Sequence, residues 1–389
     1  MALQCLADVR VIDLSHVIAG PAASMYLAAL GADVLKVENP RAPDVMRGGE
    51  AGATSNTFAT LNAAKRSLAI DLKVPRLRDL LLGLVRDADV FIENFRPGTA
   101  ARLGLDYPAL RALNPRIVYL SISGYGQQGA WSRFGAYDQV VQALTGMMMT
   151  NGEENGPPTK VGFPVIDIAT GMLGAMSVLA ALRRRDAATL GCHIDTSLAQ
   201  AAIQLMRPVA SRVLASDRDE PRPGNRGFSG SPGASTFRCL DGWLAVAANS
   251  PRQFATLCDR LDLPAPEEDV EPLEMTRRLD EAIAGRKAAE LEAQLNEAGV
   301  PAARVRRMGE FLREARAGRH VGLDLQQLVG GDGDFLQLGP GMLGLGNEAP
   351  RGAPTLGADT RDILLKAGFA REEIASLARD GAVRLVDGV

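Results

Sequence analysis

The sequence predicts an α/β protein whose main unit is doubly wound, accompanied by a second, smaller domain. Four short runs, residues 9–14, 33–37, 89–92 and 117–122, are apolar on both faces or nearly so, which marks parallel strands covered by helices. Stretches of helical character separate them, and that alternation builds a doubly wound sheet. At 389 residues the chain also exceeds the size at which one core stops growing, which asks for two domains or one large domain with an insertion.

Between the strand runs, residues 21–30 and 75–87 read as helices; the second carries leucines at helical spacing and places Pro75 in the tolerated first turn. Residues 172–185 read as a helix rich in Ala, Met and Leu whose three closing arginines complement its negative C-terminal end. From 218 to 235 the composition shifts to Arg, Pro, Gly, Asn and Ser, a linker, and residues 236–248 then form a hairpin turning at Asp241-Gly242. A smaller domain begins there, with helices at 251–261, 274–284 and 287–298 and an end near Gly299-Val300-Pro301. After a Gly-rich stretch, 330–354, amphipathic helices at 360–367 and 371–379 close the chain and can return to the first domain. The expected division is 1–215 for the first part of the large domain, 216–320 for linker and small domain, and 321–389 for the returning segment.

Composition narrows the function. Acidic and basic residues nearly cancel, 46 against 43, and no basic block alternates with aromatics, so nucleic acid is not an expected partner. The four cysteines, Cys5, Cys192, Cys239 and Cys258, have neither CxxC spacing nor a histidine cluster; this suggests no zinc site and no disulfide framework, and suits a reducing, cytoplasmic setting. No basic leader precedes an apolar core, and no uninterrupted apolar stretch reaches the roughly 18 residues of a membrane helix, so no membrane is expected. With only His16, His193 and His320 available, most histidine-based mechanisms lack material.

Residues 164–171, PVIDIATG, set a lone carboxylate between an apolar run and the helix expected to start near Gly171. Asp167 there is either a nucleophile at the end of a buried strand or the side-chain cap of the following helix. The run His16-Val17-Ile18-Ala19-Gly20-Pro21 follows the first strand and leads into a helix, where backbone amides favour anions, although it is no GxGxxG fingerprint. Lys36-Val37-Glu38-Asn39-Pro40 ends the second strand in polar groups, and Asn62 with Lys65-Arg66-Ser67 adds two cations that fit a solvated face. Glu93-Asn94-Phe95-Arg96-Pro97-Gly98 follows the third strand and Ser123-Gly124-Tyr125-Gly126 the fourth. Such strand ends open into the ligand crevice of a parallel sheet, so these loops are either generic surface or the bed of an extended ligand, a nucleotide with a long arm.

Together these segments resemble the class III CoA-transferases, the family that groups formyl-CoA transferase, carnitine CoA-transferases and α-methylacyl-CoA racemase. The likeness spans essentially the whole chain and rests on HVIAGP (16–21), LGADVLKVE (30–38), NAAKRSLAIDLK (62–73), DVFIENFRPG (89–98), LNPRIVYLSISGYGQQG (113–129), AYDQVVQALTG (136–146), DIATG (167–171) and PTLGADT (354–360), in that order. The resemblance implies a Rossmann-like large domain built from both chain ends, a smaller α+β domain on long linkers, and an obligate homodimer of two interlocked rings with its site at the subunit interface. It implies acyl-CoA and a small carboxylic acid as substrates, with no permanently bound cofactor and no metal, flavin or nicotinamide. Asp167 falls at the position of the family's nucleophile, which would need backbone amides or a positive helix end to hold its pKa down against burial. By position, the resemblance assigns CoA recognition to His16, Val17, Ile18, Asn39, Ile70, Asp71, Leu72, Lys73, Asn94, Phe95, Arg96, Arg102, Gly135, Ala136, Tyr137 and Asp138.

Two departures point away from formyl-CoA and oxalate: Asn39 stands where some formyl-CoA transferases carry an Arg, and Ile18 replaces a Gln that touches the acyl end there. Tyr137 stands where the racemases carry a catalytic His, and with an ordinary pKa of about 10 a Tyr is a poor base at neutral pH; it either packs on the crevice wall or touches the CoA arm. Arg47 or Arg226 can clamp the distal carboxylate of a dicarboxylic acid, and Gly227, Gly230 and Gly233 can supply a mobile cover or simple turns. The expected activity is CoA transfer between small carboxylic acids, with a dicarboxylic pair and succinyl-CoA as the first choice. The alternatives are an acyl-CoA racemase, an intramolecular CoA transferase, or a catalytically silent acyl-CoA-binding protein, the last opposed by Asp167 in its DxxTG context.

Overall fold

The computed structural model describes residues 4–48, 55–264, 272–318, 323, 325–328, 335–339, 341 and 351–386. Six strands, β1 (Arg10–Asp13), β2 (Asp33–Glu38), β3 (Arg66–Ala69), β4 (Val90–Glu93), β5 (Val118–Ser123) and β6 (Cys192–Ser197), form a parallel sheet in the order β3-β2-β1-β4-β5-β6. The four strands expected from apolar runs are the central ones. The two that escaped that criterion lie at the sheet's edges, where burial on both faces is not required: β3 opens on the polar Arg66, and β6 alternates between half-buried and exposed positions over Cys192-His193-Ile194-Asp195.

The chain divides into two compact units, one comprising Met1–Thr145, Val161–Arg212 and Leu323–Val389, the other Gly146–Lys160 and Val213–Gly322. In the first unit the closing segment lies against β3. Ser67 N–H donates to Asp359 at 2.8 Å, Ala69 N–H to the Thr360 hydroxyl at 2.9 Å, and Arg384 N–H to the Ala69 carbonyl at 3.2 Å. The core on this side of the sheet joins Ile12, Leu35, Leu68, Phe91 and Tyr119 to Leu364 and Ile374 of the terminal helices.

Helix α1 (Ala19–Ala29) follows β1, the short α2 (Asp138–Leu144) precedes the long α3 (Val165–Ala188), and α1 packs on α3. The contact is close because two glycines sit in it. A methyl group on Gly171 would lie 2.6 Å from Ala22 Cβ and 2.9 Å from the Ala19 carbonyl, and one on Gly174 would lie 3.5 Å from Ala23 Cβ of α1 and 3.1 Å from Leu120 of β5. Helix α3 begins six residues before the expected start at Gly171, so Asp167 is neither at a strand end nor a cap: it occupies the first helical turn, behind Pro164 as the N-cap. Residues 165–182 hold only one charged residue, and the helix is long and apolar enough to cross a membrane by length and composition, with 44% of the relevant window buried within the chain. Its packing on α1 accounts for the apolarity of the buried part, while Met172 and Met176 remain exposed.

The second unit holds an antiparallel sheet in the order β7-β8-β9, made of β7 (Ala234–Cys239), β8 (Gly242–Ala247) and β9 (Ala302–Arg304). Cys239 pairs with Gly242, so the hairpin turns on Leu240-Asp241, one residue before the expected position. The helices Pro251–Arg260, Pro272–Ala284 and Ala288–Glu297 supply the rest of its core through Leu257, Leu279, Ile283, Leu291 and Leu295. A short antiparallel pair, β10 (Leu325–Leu328) with β11 (Phe335–Leu338), belongs to the first unit's closing segment. Most of the expected Gly-rich stretch 330–354, and His320, lie outside the described residues.

Candidate active site

The sheet order reverses between β1 and β4, the switch point outside which ligands bind in open α/β sheets. The loops leaving these two strands flank a cavity of ≈ 210 Å³ lined by Val17, Ile18 and Ala19 after β1, Asn94 to Pro97 after β4, Ile122 to Gly124 at the end of β5, and Phe134 to Tyr137, Asp167 and Leu198. Eight of the residues assigned to CoA by position, together with Asp167, therefore converge on one space.

A second cavity, ≈ 180 Å³ and largely apolar, gathers His16, Asn39, Ile70, Asp71, Leu72, Lys73 and Phe95 with Leu14, Val37, Glu38 and Leu103. Phe95 lines both spaces, and His16 and Val17 are adjacent in the chain, so the two cavities run along the same strand ends. Asn39 also shapes its own turn: its side-chain Oδ1 accepts Arg41 N–H at 2.9 Å and Ala42 N–H at 3.2 Å. Asp71 accepts Lys73 N–H at 3.0 Å. Burial lowers the pKa of the His16 ring, and the Lys36 charge lowers it further, which favours the neutral imidazole.

Asp167 is half-buried in the first turn of α3. The free amides of that turn, which would otherwise favour its charge, are taken by a second carboxylate. Asp138 Oδ2 accepts Ile166 N–H at 2.7 Å and Asp167 N–H at 3.0 Å, while Oδ1 accepts Gln142 Nε2 at 2.6 Å. Burial pushes the Asp167 carboxyl up to about 7, and the neighbouring Asp138 charge adds to the rise. The expectation that amides or a positive helix end depress this pKa is thus overturned. Near neutrality the carboxylate and the carboxylic acid coexist, and the carboxylate form is only weakly satisfied by its surroundings.

Asp138 itself is buried and engaged in these three bonds. It stands behind the cavity as the anchor of α3 and not on its lining, in contrast to its assignment to CoA. Arg102 is exposed, bonded to the Thr99 hydroxyl at 2.8 Å, and lines neither cavity. Arg47 is turned inward. Its fork grips Glu38 at 2.8 and 2.5 Å, its NH1 donates to the Pro354 carbonyl at 3.0 Å, and its guanidinium lies 4.1 Å from the Phe58 ring centroid. This is a structural arginine and not a free clamp. Arg226 and Gly227 belong to the second unit, where Arg226 lines a separate cavity of ≈ 630 Å³ with Arg222, Arg238 and Trp243. Gly227 N–H donates to the Ala234 carbonyl at 2.6 Å and leaves no room for a side chain against Ala234.

Beneath the β1 loop lies a charged layer that sequence reading misjudged or missed. Lys65, expected on a solvated face, is fully buried; its Nζ meets Asp13 at 3.1 Å, Asn62 at 2.8 Å and the Pro21 carbonyl at 3.1 Å. Arg66 does face solvent, paired with Asp33 at 2.6 Å. Burial alone would raise the Asp13 carboxyl, yet Lys65, Lys36 and the hydroxyls of Ser15 and Ser24 hold it well below the usual range. Lys36, also fully buried, pairs with Asp44 at 3.1 Å. Glu93, the last residue of β4, is pushed up to about 7 by burial, against the lowering effect of the Ser121 hydroxyl and the Phe95 N–H. Glu93 lies in the DVFIENFRPG stretch, but nothing in that stretch marks its burial; Asp44 carries no motif of its own, and the one available signal was its place in the loop after a strand.

A family model described as CoA-transferase family III matches residues 6–360. An acyl-CoA transferase from Fusarium pseudograminearum is 33% identical, with 97% of this chain and 88% of that protein covered. A succinate–glutarate CoA-transferase from Agrobacterium fabrum is 39% identical over 68% of each. Among solved structures, a CaiB/BaiF family protein from Brucella suis superposes with a TM-score of 0.80 at 28% identity, covering 92% of this chain and 98% of that one.

Proposed function

The chain belongs to CoA-transferase family III and is a CoA-transferase, and from that premise we propose that it moves CoA from an acyl-CoA donor such as succinyl-CoA to a small dicarboxylic acid through covalent intermediates on Asp167. The observation that carries this reading is a carboxylate on the cavity at the switch point, with no side-chain partner of its own among the described residues. The dicarboxylic choice is supported by the Agrobacterium relative, a succinate–glutarate CoA-transferase.

The Asp167 carboxylate attacks the donor thioester carbonyl and expels CoA thiolate, leaving a mixed anhydride on the side chain. The thiolate then attacks the aspartyl carbonyl, releasing the donor acid and forming an aspartyl-CoA thioester. The acceptor carboxylate attacks that thioester and again frees the thiolate, which takes the acyl group from the new anhydride and restores Asp167. Both intermediates hydrolyse, so exclusion of water is part of the task. The largely apolar second cavity and the strand-end loops are the proposed seat of the CoA arm.

The homodimer, interlocked as the resemblance implies, is likewise proposed. Val140 and Leu144 on α2, Met172 and Met176 on α3, and Ile203 on the helix Leu198–Leu205 are all exposed. Spaced four apart on mutually packed helices, they form an apolar face of the kind that marks a protein interface. The four cysteines are unpaired, which supports a reducing cytoplasmic setting.

The direct test is intact-mass spectrometry after incubation with succinyl-CoA, with and without hydroxylamine, followed by peptide mapping. A hydroxylamine-sensitive adduct on Asp167, absent from Asp167→Ala, which still binds CoA, is the expected result. Normal turnover by Asp167→Ala would remove that residue from the mechanism, and unchanged bound acyl-CoA with several donors would favour the racemase or the silent binding protein.

A further inference from the structure

Val17 is a β-branched residue held at φ 71°, in the left-handed region where a branched side chain crowds the backbone and glycine sits freely. A conformation of this kind persists only where its surroundings impose it. Here a carboxylate does so: the Val17 N–H donates to both oxygens of Asp44, at 3.1 and 3.2 Å. Asp44 is fully buried and held from three sides. Its Oδ2 accepts Lys36 Nζ at 3.1 Å, its Oδ1 accepts Met46 N–H at 3.0 Å, and its own N–H donates to Glu38 at 3.1 Å. The preceding residue is pinned independently, by an Asn94 side chain that accepts His16 N–H at 2.9 Å and donates to the His16 carbonyl at 2.7 Å.

We infer that Asp44 is a positioning residue for acyl transfer, acting through Val17: its carboxylate holds the left-handed turn that makes Val17, Ile18 and Ala19 part of the wall of the Asp167 cavity. The inference rests on the reading of Asp167 as the nucleophile. Pairing with Lys36 is not Asp44's whole task, since Lys36 Nζ has a second acceptor in the Ser15 carbonyl at 2.7 Å. The Val17 N–H meets no acceptor but Asp44 among the described residues. Released from it, a valine returns to negative φ and carries the next residues with it. Displacing a reacting group by about 1 Å costs on the order of 10²-fold in rate.

The test is a rescue. Asp44→Asn puts an amide donor where one oxygen accepted, and is expected to lower kcat/KM for the acyl-CoA, and the rate of adduct formation on Asp167, by about 10²-fold. Adding Val17→Gly, which takes positive φ without strain, is expected to recover about tenfold or more of that loss at an unchanged melting temperature. Should Asp44→Asn not accumulate as folded protein, Lys36→Met is added to remove the orphaned charge, and Val17→Gly is read in that background. No recovery in the double or triple variant, with the wild type still forming its adduct, overturns the inference and leaves the nucleophile standing. A wild type that forms no adduct overturns both.

Discussion

Asp138 Oδ2 accepts the backbone N–H of Asp167 at 3.0 Å, so one carboxylate anchors the helix turn that carries the other and, by its charge, raises the other's pKa. The arrangement trades a well-fixed backbone for a less acidic carboxyl. The helix-end amides that could have favoured ionised Asp167 are consumed in aiming it.

The first prediction concerns that pair. Asp167 must be ionised to attack, and its folded pKa of about 7 lies above the ordinary 3.8. kcat/KM, which reports the free enzyme, is therefore expected to rise with pH through an acid limb near neutrality. Asp138→Asn removes the like charge and should move that limb to lower pH, while burial, the larger cause, keeps it above the ordinary carboxylate range. The new amide also faces Gln142 Nε2, a donor, while Gln142 Oε1 is already held by Val161 N–H at 2.8 Å. A stability loss of roughly 1 kcal/mol should accompany the shift. An unmoved acid limb in the pH profile would refute the coupling.

The second prediction concerns the helix contact behind Asp167. Gly171 follows Asp167 by four residues, one turn further along the same face of α3, and even a methyl group there meets Ala22 Cβ at 2.6 Å. Gly171→Ala should push α3 from α1 and cost about 1–3 kcal/mol in urea unfolding, as overpacking does. Because Asp167 rides on the displaced turn, kcat should fall out of proportion to the remaining folded fraction. Gly83, on the helix Pro75–Arg86, has nothing within 4 Å of the corresponding position; Gly83→Ala is the control and should be neutral or stabilising.

The central strands β1, β2, β4 and β5 were legible because burial on both faces writes a continuous apolar run into the sequence. The edges were not, since β6 exposes alternate residues and β3 begins with a surface arginine. The start of α3 was hidden for a different reason. Pro164-Val165-Ile166 has strand-like composition, no local side chain caps the helix, and its end is satisfied by Asp138, 28 and 29 residues away from the two amides it holds. The loops at the site could be read from their place after strands, and family resemblance named most of the residues that the two cavities gather. Asp44 could not be found this way: its function depends on Val17, 27 residues distant, and on a backbone angle that no residue type announces.

The last prediction settles the role of Arg47. A carboxylate clamp for a dicarboxylic substrate has a free guanidinium fork, and Arg47's fork already closes on Glu38 at 2.8 and 2.5 Å, with Glu38 wholly buried. Removing one partner of such a buried pair costs about 3–5 kcal/mol, because the other charge is left without compensation. Arg47→Met should therefore lower the melting temperature severely. Arg47→Gln/Glu38→Gln, which removes both charges while keeping polar side chains of similar reach, should recover much of the loss. Neither variant, assayed at a temperature where it is folded, should raise KM for the acceptor acid selectively over KM for the CoA thioester. A large selective rise for a dicarboxylate, absent with a monocarboxylate acceptor, would instead put Arg47 on the substrate and mean that the fork opens during turnover.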